Sequence, residues 1–143
     1  MKRKRLIGKK LIVLDSVDST NNYLSKFVNE TIVLNGTVIL AHNQTKGRGQ
    51  RGNVWESEDG KNLTFSMYLK TDFLALDQNF ILSITICNSI HELISNYTKK
   101  ALIKWPNDLF VEGKKICGIL IENSIHACRE NKSKGKSGES LVG

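Results

Sequence analysis

A chain of 143 residues, 40% hydrophobic and 24% charged with a single proline, has the size and make-up of one soluble globular domain. That composition excludes collagen, coiled coil, disorder throughout and a disulfide scaffold, and no apolar run reaches the ~18 residues of a membrane span. The net charge of +7 suggests nucleic acid at first sight, but residues 1–10 hold six Lys/Arg and no acid, while residues 11–125 are nearly neutral. Solvated termini account for the excess better than a basic binding face.

The basic start, Met1 to Lys10, is followed by no long apolar stretch, so no secretory signal is expected. Cys87, Cys117 and Cys128 are odd in number and widely spaced, which favours free thiols in a reducing, cytoplasmic compartment. His126 and Cys128 make a pair only, and no metal site is expected there.

In chain order, Leu11–Leu14 reads as a short buried strand, and Ser19 or Thr20 as the N-cap of a helix reaching about Asn29. Leu24, Phe27 and Val28 form that helix's apolar stripe. Thr37–His42 is a second strand, followed by a polar, glycine-punctuated stretch from Asn43 to Lys61. Asn62–Leu69 alternates apolar with small or polar residues, the pattern of a half-buried strand. Asp77 is placed to cap the longest helix, to about Tyr97, with Phe80, Ile84, Cys87, His91 and Ile94 in one line. Ala101–Trp105 is extended, and Asp108–Glu112 and Lys115–Glu122 form a hairpin turned at Gly113-Lys114. Residues 115, 117, 119 and 121 should then share one face. From His126 to Ser140 the composition is that of a flexible loop, after which Leu141-Val142-Gly143 begins a strand. The order of elements predicts an α+β fold, a mixed sheet with helices packed on one face.

Four segments carry candidate chemistry. Gly47-Arg-Gly-Gln-Arg-Gly52 matches G-x-G-x-x-G, but a strand rather than a helix follows it, so a dinucleotide fold is rejected. Its glycines still let backbone approach a ligand, and Arg48 and Arg51 suit phosphate or carboxylate. In Lys104-Trp-Pro-Asn-Asp108, Pro106 pushes Trp105 toward extended geometry, so Asn107 and Asp108 leave a strand at a defined angle. On physics alone this is a turn with a core tryptophan. Lys115 opens an otherwise apolar strand and either snorkels to water or faces a ligand. Asp15-Ser-Val-Asp-Ser-Thr-Asn-Asn22 is both helix cap and a cradle for a small polar ligand.

These four segments, with Gln44 to Trp55 and Lys115 to Glu122 taken whole, resemble in their order and separation the biotin protein ligases. The resemblance implies the class II synthetase-like fold of the biotin–lipoate ligase catalytic domain. It also implies a two-step reaction: biotin and MgATP, as substrates, give biotinyl-5′-AMP, and a lysine of a biotin carboxyl carrier domain takes the biotinyl group. No permanently bound cofactor, metal or membrane is implied, and a homodimer is one expected assembly. Carried over by motif, Ser19, Thr20 and Asn21 would bond the ureido head of biotin. Gln44, Arg48, Gly49 and Gln50 would line biotin and its activated carboxylate, with Trp55 as an apolar wall. Lys115 would contact the carboxylate and acyl phosphate, Arg51 the nucleotide, and Asn107 and Asp108 the adenylate side, Asp108 taking a proton from the amine. Lys115, Arg48 and Asp108 are thus the expected catalytic set.

Gln50 stands where some members of the family carry a second arginine. No helix-turn-helix precedes the first strand, so DNA binding is not expected. The family's catalytic domain continues beyond the position of Gly143. The expected organisation is therefore a basic segment 1–10, the N-terminal part of a catalytic domain at 11–125, and a loop with a cut-off strand at 126–143. Two alternatives stay open: a non-catalytic remnant that at most binds biotin, and a lipoate or octanoate transferase of the same fold.

Overall fold

The computed structural model describes residues 7–75, 78–127 and 136–143. They fall into two compact units, one running to Phe73 and resuming at Ile121, the other Leu74–Leu120.

The first unit opens with β1 (Leu11–Val17), then α1 (Thr20–Glu30) and β2 (Val38–Gln44). β3 (Gly47–Arg48) and β4 (Val54–Trp55) form a small ribbon, and β5 (Thr64–Lys70) follows. β1 and β2 are parallel because α1 crosses between them, while β2 and β5 are antiparallel. Leu24, Val33, Ile39, Tyr68 and Leu141 form the core, against which Ile12, Leu14, Phe27 and Val28 pack. The helical stripe is as the 3.6-residue period required.

On β5 the alternation has the opposite sense to that expected. Ser66 and Tyr68 are fully buried against the α1 side, whereas Phe65 and Met67 are only half-buried and Leu63 is exposed. The polar positions face inward because α1 presents Thr20 and Asn21, both buried, to that face.

In the second unit, α2 (Asn79–Ser95) packs on β6 (Ala101–Lys104) and β7 (Asp108–Val111), with β8 (Lys114–Gly118) completing an antiparallel meander. Asp77 lies outside the described residues; Gln78 occupies the N-cap position and makes no side-chain cap bond. Cys87 and Leu109 are wholly buried, and His91 Nε2 lies 3.1 Å from the Ala101 carbonyl oxygen. Phe80, Ile81 and Leu93 are exposed, so the stripe buries only its middle. The turn is Glu112-Gly113, one residue earlier than expected: both take positive φ (51° and 77°), as a two-residue type I′ hairpin requires.

β9 (Ile121–Ala127) and β10 (Lys136–Val142) return to the first unit, whose five-stranded mixed sheet has the order β1-β2-β5-β10-β9. β10 pairs along Glu139–Val142 with β5 and along Lys136–Val142 with β9. The expectation of a strand beginning only at Leu141 is therefore wrong: the ladder with β9 along all seven residues, joined by β5 along the last four, forms the strand despite its polar composition. Of the expected flexible loop, residues 128–135 lie outside the described residues, as does Cys128. Neither described helix is long and apolar enough to cross a membrane.

Candidate functional site

The site is clearest where α1 begins. Ser19 caps the helix from an extended conformation, its hydroxyl accepting from the Asn22 N–H at 3.5 Å. The Thr20 N–H, one of the helix's unpaired first-turn donors, is taken by Gln44 Oε1 at 2.7 Å, and the Thr20 hydroxyl reaches the same oxygen at 3.0 Å. Ser19, Thr20 and Asn21 are each at most 3% exposed. Hydroxyls and amides buried this deeply destabilise the fold unless bonded, and here they are met by Asn22, Gln44, Ser66 and Glu122.

Ser66, on β5, joins the cluster with a short contact to Asn21 Oδ1 and a 2.7 Å contact to Thr20 Oγ1. Its one hydroxyl hydrogen faces two acceptors, because the Thr20 hydroxyl hydrogen is committed to Gln44. The cluster is thus one donor short, which favours a ligand that brings N–H groups. Ser66 was missed in the sequence because a serine between Phe65 and Met67 reads as solvent-facing. Asn21 Nδ2 donates to Glu122 Oε2 at 3.0 Å, a partner 101 positions away. The other Glu122 oxygen holds Arg48, whose guanidinium also donates to Asn22 Oδ1.

Arg48 and Gly49 belong to the glycine-rich segment. A Cβ at Gly47 would collide with the Trp55 carbonyl oxygen, so glycine is what permits β3 to pair with β4. Gly49 N–H donates to the Asn53 carbonyl at 2.7 Å, closing the loop. Gln50 and Arg51 are exposed, and Arg51 adopts φ 55° with Gly52 following at 80°. Gln44 and Arg48 thus reach the polar cluster, while Gln50 and Arg51 make no described bond to it. Trp55 is half-buried. Asn22, Lys26, Arg48, Glu122 and Asn123 line an open groove along the exposed side of α1. Asp18, beside it, has its carboxyl held below the usual range, chiefly by the Asn22 side-chain amide and then by the Ser19 N–H.

In the second unit, Lys115 Nζ lies 2.8 Å from Asp108 Oδ1. The register of β7 and β8 shifts between Leu109 and Phe110: Leu109 pairs with Cys117, but Phe110 pairs with Lys115. This bulge sets Lys115 on the face of Asp108 and Phe110 and leaves Cys117 on the other. The expected common face of 115, 117, 119 and 121 is therefore not formed, and β8 ends before Ile119. Lys104 Nζ sits 5.6 Å over the Phe110 ring, on the same face. Asn107 is engaged with its own unit: Nδ2 donates to the Ile119 carbonyl and its carbonyl accepts from the Ile119 N–H, both at 2.9 Å. Trp105 is 53% exposed and tilted against Phe80, not a core residue. Burial pushes the Cys87 and Cys117 thiols up. Both are free, and among the described residues no three His, Cys, Asp or Glu converge to hold a metal.

Comparison with known proteins gives the family and the fold. The model of the biotin/lipoate A/B protein ligase family matches residues 13–135. The chain is 34% identical over 121 residues to the bifunctional ligase/repressor BirA of Escherichia coli (strain K12), covering 82% of this chain and 36% of that protein. The biotin acetyl coenzyme A carboxylase synthetase of Helicobacter pylori, solved with biotinylated ATP, is similar with a TM-score of 0.63 and 30% identity. That likeness covers 93% of this chain and 59% of the other. The biotin protein ligase of Aquifex aeolicus, solved with biotin and ATP, gives 0.63 and 31%, covering 94% and 51%. The α+β class, a mixed sheet with two helices, is thus that of biotin protein ligase catalytic domains. The chain spans between about a third and a half of the length of the curated relatives it matches.

Proposed function

Since the chain belongs to the biotin/lipoate A/B protein ligase family, we propose that it carries the biotin-recognition part of a biotin protein ligase. The overall reaction is then ATP-dependent. A biotin carboxylate oxygen attacks the α-phosphorus of MgATP and expels pyrophosphate, and the amine of a carrier-domain lysine attacks the acyl carbon of biotinyl-5′-AMP and expels AMP. The observation that carries the reading is the buried cluster of Thr20, Asn21, Gln44 and Ser66, which is one donor short. A ureido group brings two N–H donors and one carbonyl acceptor on an uncharged ring, which suits short neutral side chains.

The remaining roles follow the motifs. Ser19 completes the ureido-facing turn, Gly49 and Gln50 lie along the ligand, and Trp55 supplies apolar wall. Arg48 stabilises negative charge that builds on the activated carboxylate, as a fixed cation does most effectively where water is excluded. Closure of the glycine-rich segment would also keep water from the hydrolysable anhydride. Lys115 serves the acyl phosphate and Arg51 the nucleotide, with Asn107 on the adenylate side. Asp108, paired with Lys115, is the group to receive the amine proton. The acceptor is a biotin carboxyl carrier domain. The two free thiols suit a reducing, cytoplasmic compartment.

Calorimetric titration of the purified chain with biotin and with lipoic acid tests the reading. A site built around hydrogen-bonding groups rejects an analogue lacking them by orders of magnitude, so biotin should bind and lipoic acid should not. Equal or preferential binding of lipoic acid would sink the assignment and favour a lipoate or octanoate transferase.

A further inference from the structure

We propose that Glu122 is a positioning residue, whose two carboxylate oxygens set the Asn21 amide and anchor the glycine-rich segment through Arg48. The inference rests on the biotin reading for its functional consequence and on geometry alone for the rest.

Three segments far apart in sequence meet at this side chain. Glu122 is the second residue of β9 and pairs with Leu141 of β10. Directly opposed residues in an antiparallel ladder share a face, so Glu122 lies on the face where Leu141 enters the core beneath α1. From there Oε2 accepts from Asn21 Nδ2 at 3.0 Å. A carboxylate in that position can only accept, so it forces the Asn21 NH2 toward itself and the amide oxygen toward Ser66. With Glu122 removed, the amide could flip, its NH2 would satisfy Ser66, and the donor deficit that favours an N–H-bearing ligand would vanish.

The second oxygen acts on a different element. It pairs with the Arg48 guanidinium, which also donates to Asn22 Oδ1, so Arg48 bridges β9 and the first turn of α1. The bond is charge-assisted and has the geometric demands of a guanidinium–carboxylate pair. Both side chains remain substantially exposed, 44% for Arg48 and 32% for Glu122. Exposed pairs contribute little to global stability. The consequence of the pair is therefore local: it holds one point of the segment 47–52, which is otherwise tied by the Gly49–Asn53 bond and the short β3–β4 ribbon. The same carboxylate thus links the orientation of the ureido-facing amide to the placement of the loop cation.

The variants Glu122→Gln and Glu122→Ala separate the two duties. Gln keeps an oxygen that Asn21 can donate to and loses the charge that holds Arg48; Ala loses both. In the protein without ligand, hydrogen–deuterium exchange in peptides spanning 46–55 should quicken at least five-fold in both variants, with peptides from α1 and β2 unchanged. In biotin titrations, Gln should weaken binding two- to five-fold and Ala at least ten-fold. Unchanged exchange over 46–55 in both variants would overturn the anchoring role. Full biotin affinity in Glu122→Ala would overturn the positioning of Asn21. A wild-type chain that binds no biotin would overturn the biotin reading, and the exchange result would still decide the anchor.

Discussion

Lys115 Nζ and Asp108 Oδ1 are 2.8 Å apart because a bulge in β8 shifts the register by one residue. Without it, Lys115 would fall on the face of Leu109 and Cys117, where Leu109 is wholly buried. The bulge thus sets Lys115's position, and the resulting pair ties its two proposed duties, stability and charge stabilisation, to one contact.

Lys115→Ala should lower unfolding stability by about 1–3 kcal/mol, since it leaves a carboxylate oxygen that is out of solvent without its cation. Lys115→Ala combined with Asp108→Asn should recover at least half of that loss in urea denaturation. Biotin-dependent pyrophosphate release should fall by ~3–4 kcal/mol of barrier in Lys115→Ala, as for a lost oxyanion donor, and stay low in the double variant. Release that recovers together with stability would make Lys115 a structural cation only.

Gly47 and Gly52 should differ in what a methyl group does. At Gly47 the Cβ meets the Trp55 carbonyl, so Gly47→Ala should break the β3–β4 pairing and cost about 1–3 kcal/mol. At Gly52 there is open space but φ is 80°, so Gly52→Ala should cost only about 1 kcal/mol, from strain. Thermal melts with exchange over 46–55 separate them, and equal effects of the two would refute the close-approach argument.

Glu112→Gly should stabilise the second unit by about 0.5–1 kcal/mol. Glu112 occupies the first central position of a type I′ turn at φ 51°, where glycine carries no Cβ penalty. Its ion pair with Lys100 is largely exposed and offsets little. A lower melting temperature would show that the pair outweighs the strain.

Cys87 and Cys117 should alkylate slowly in the native protein. Burial raises both thiols, and for Cys117 the neighbouring Cys87 adds to the rise, so the reactive thiolate is scarcer than in a free cysteine at pH 8. Iodoacetamide labelling, read by peptide mass spectrometry, should be at least ten-fold slower than for free cysteine. It should quicken as pH rises toward the elevated values. Labelling at the free-thiol rate at pH 8 would contradict the burial.

The local features were legible in the sequence, because short-range chemistry determines them. Ser19 caps α1, Leu24, Phe27 and Val28 form its buried stripe, and the Gly47–Gly52 segment turns between strands as its glycines indicated. The motif order also sufficed to identify the family, since it depends on residue identities and separations alone. What depended on partners distant in sequence was not legible. The inward face of β5 was inverted because α1 offers hydroxyls and amides there, and no window around Ser66 contains Thr20 or Asn21. The polar strand Lys136–Val142 exists because β5 and β9 supply a ladder on either side, which its own residues do not announce. The phase of Lys115 depended on a bulge, a one-residue register change that reverses a face without leaving a mark in the alternation. Glu122 gained its two contacts only when β9 came beside β10 and so beneath the start of α1, a juxtaposition across 101 positions that the sheet order decides.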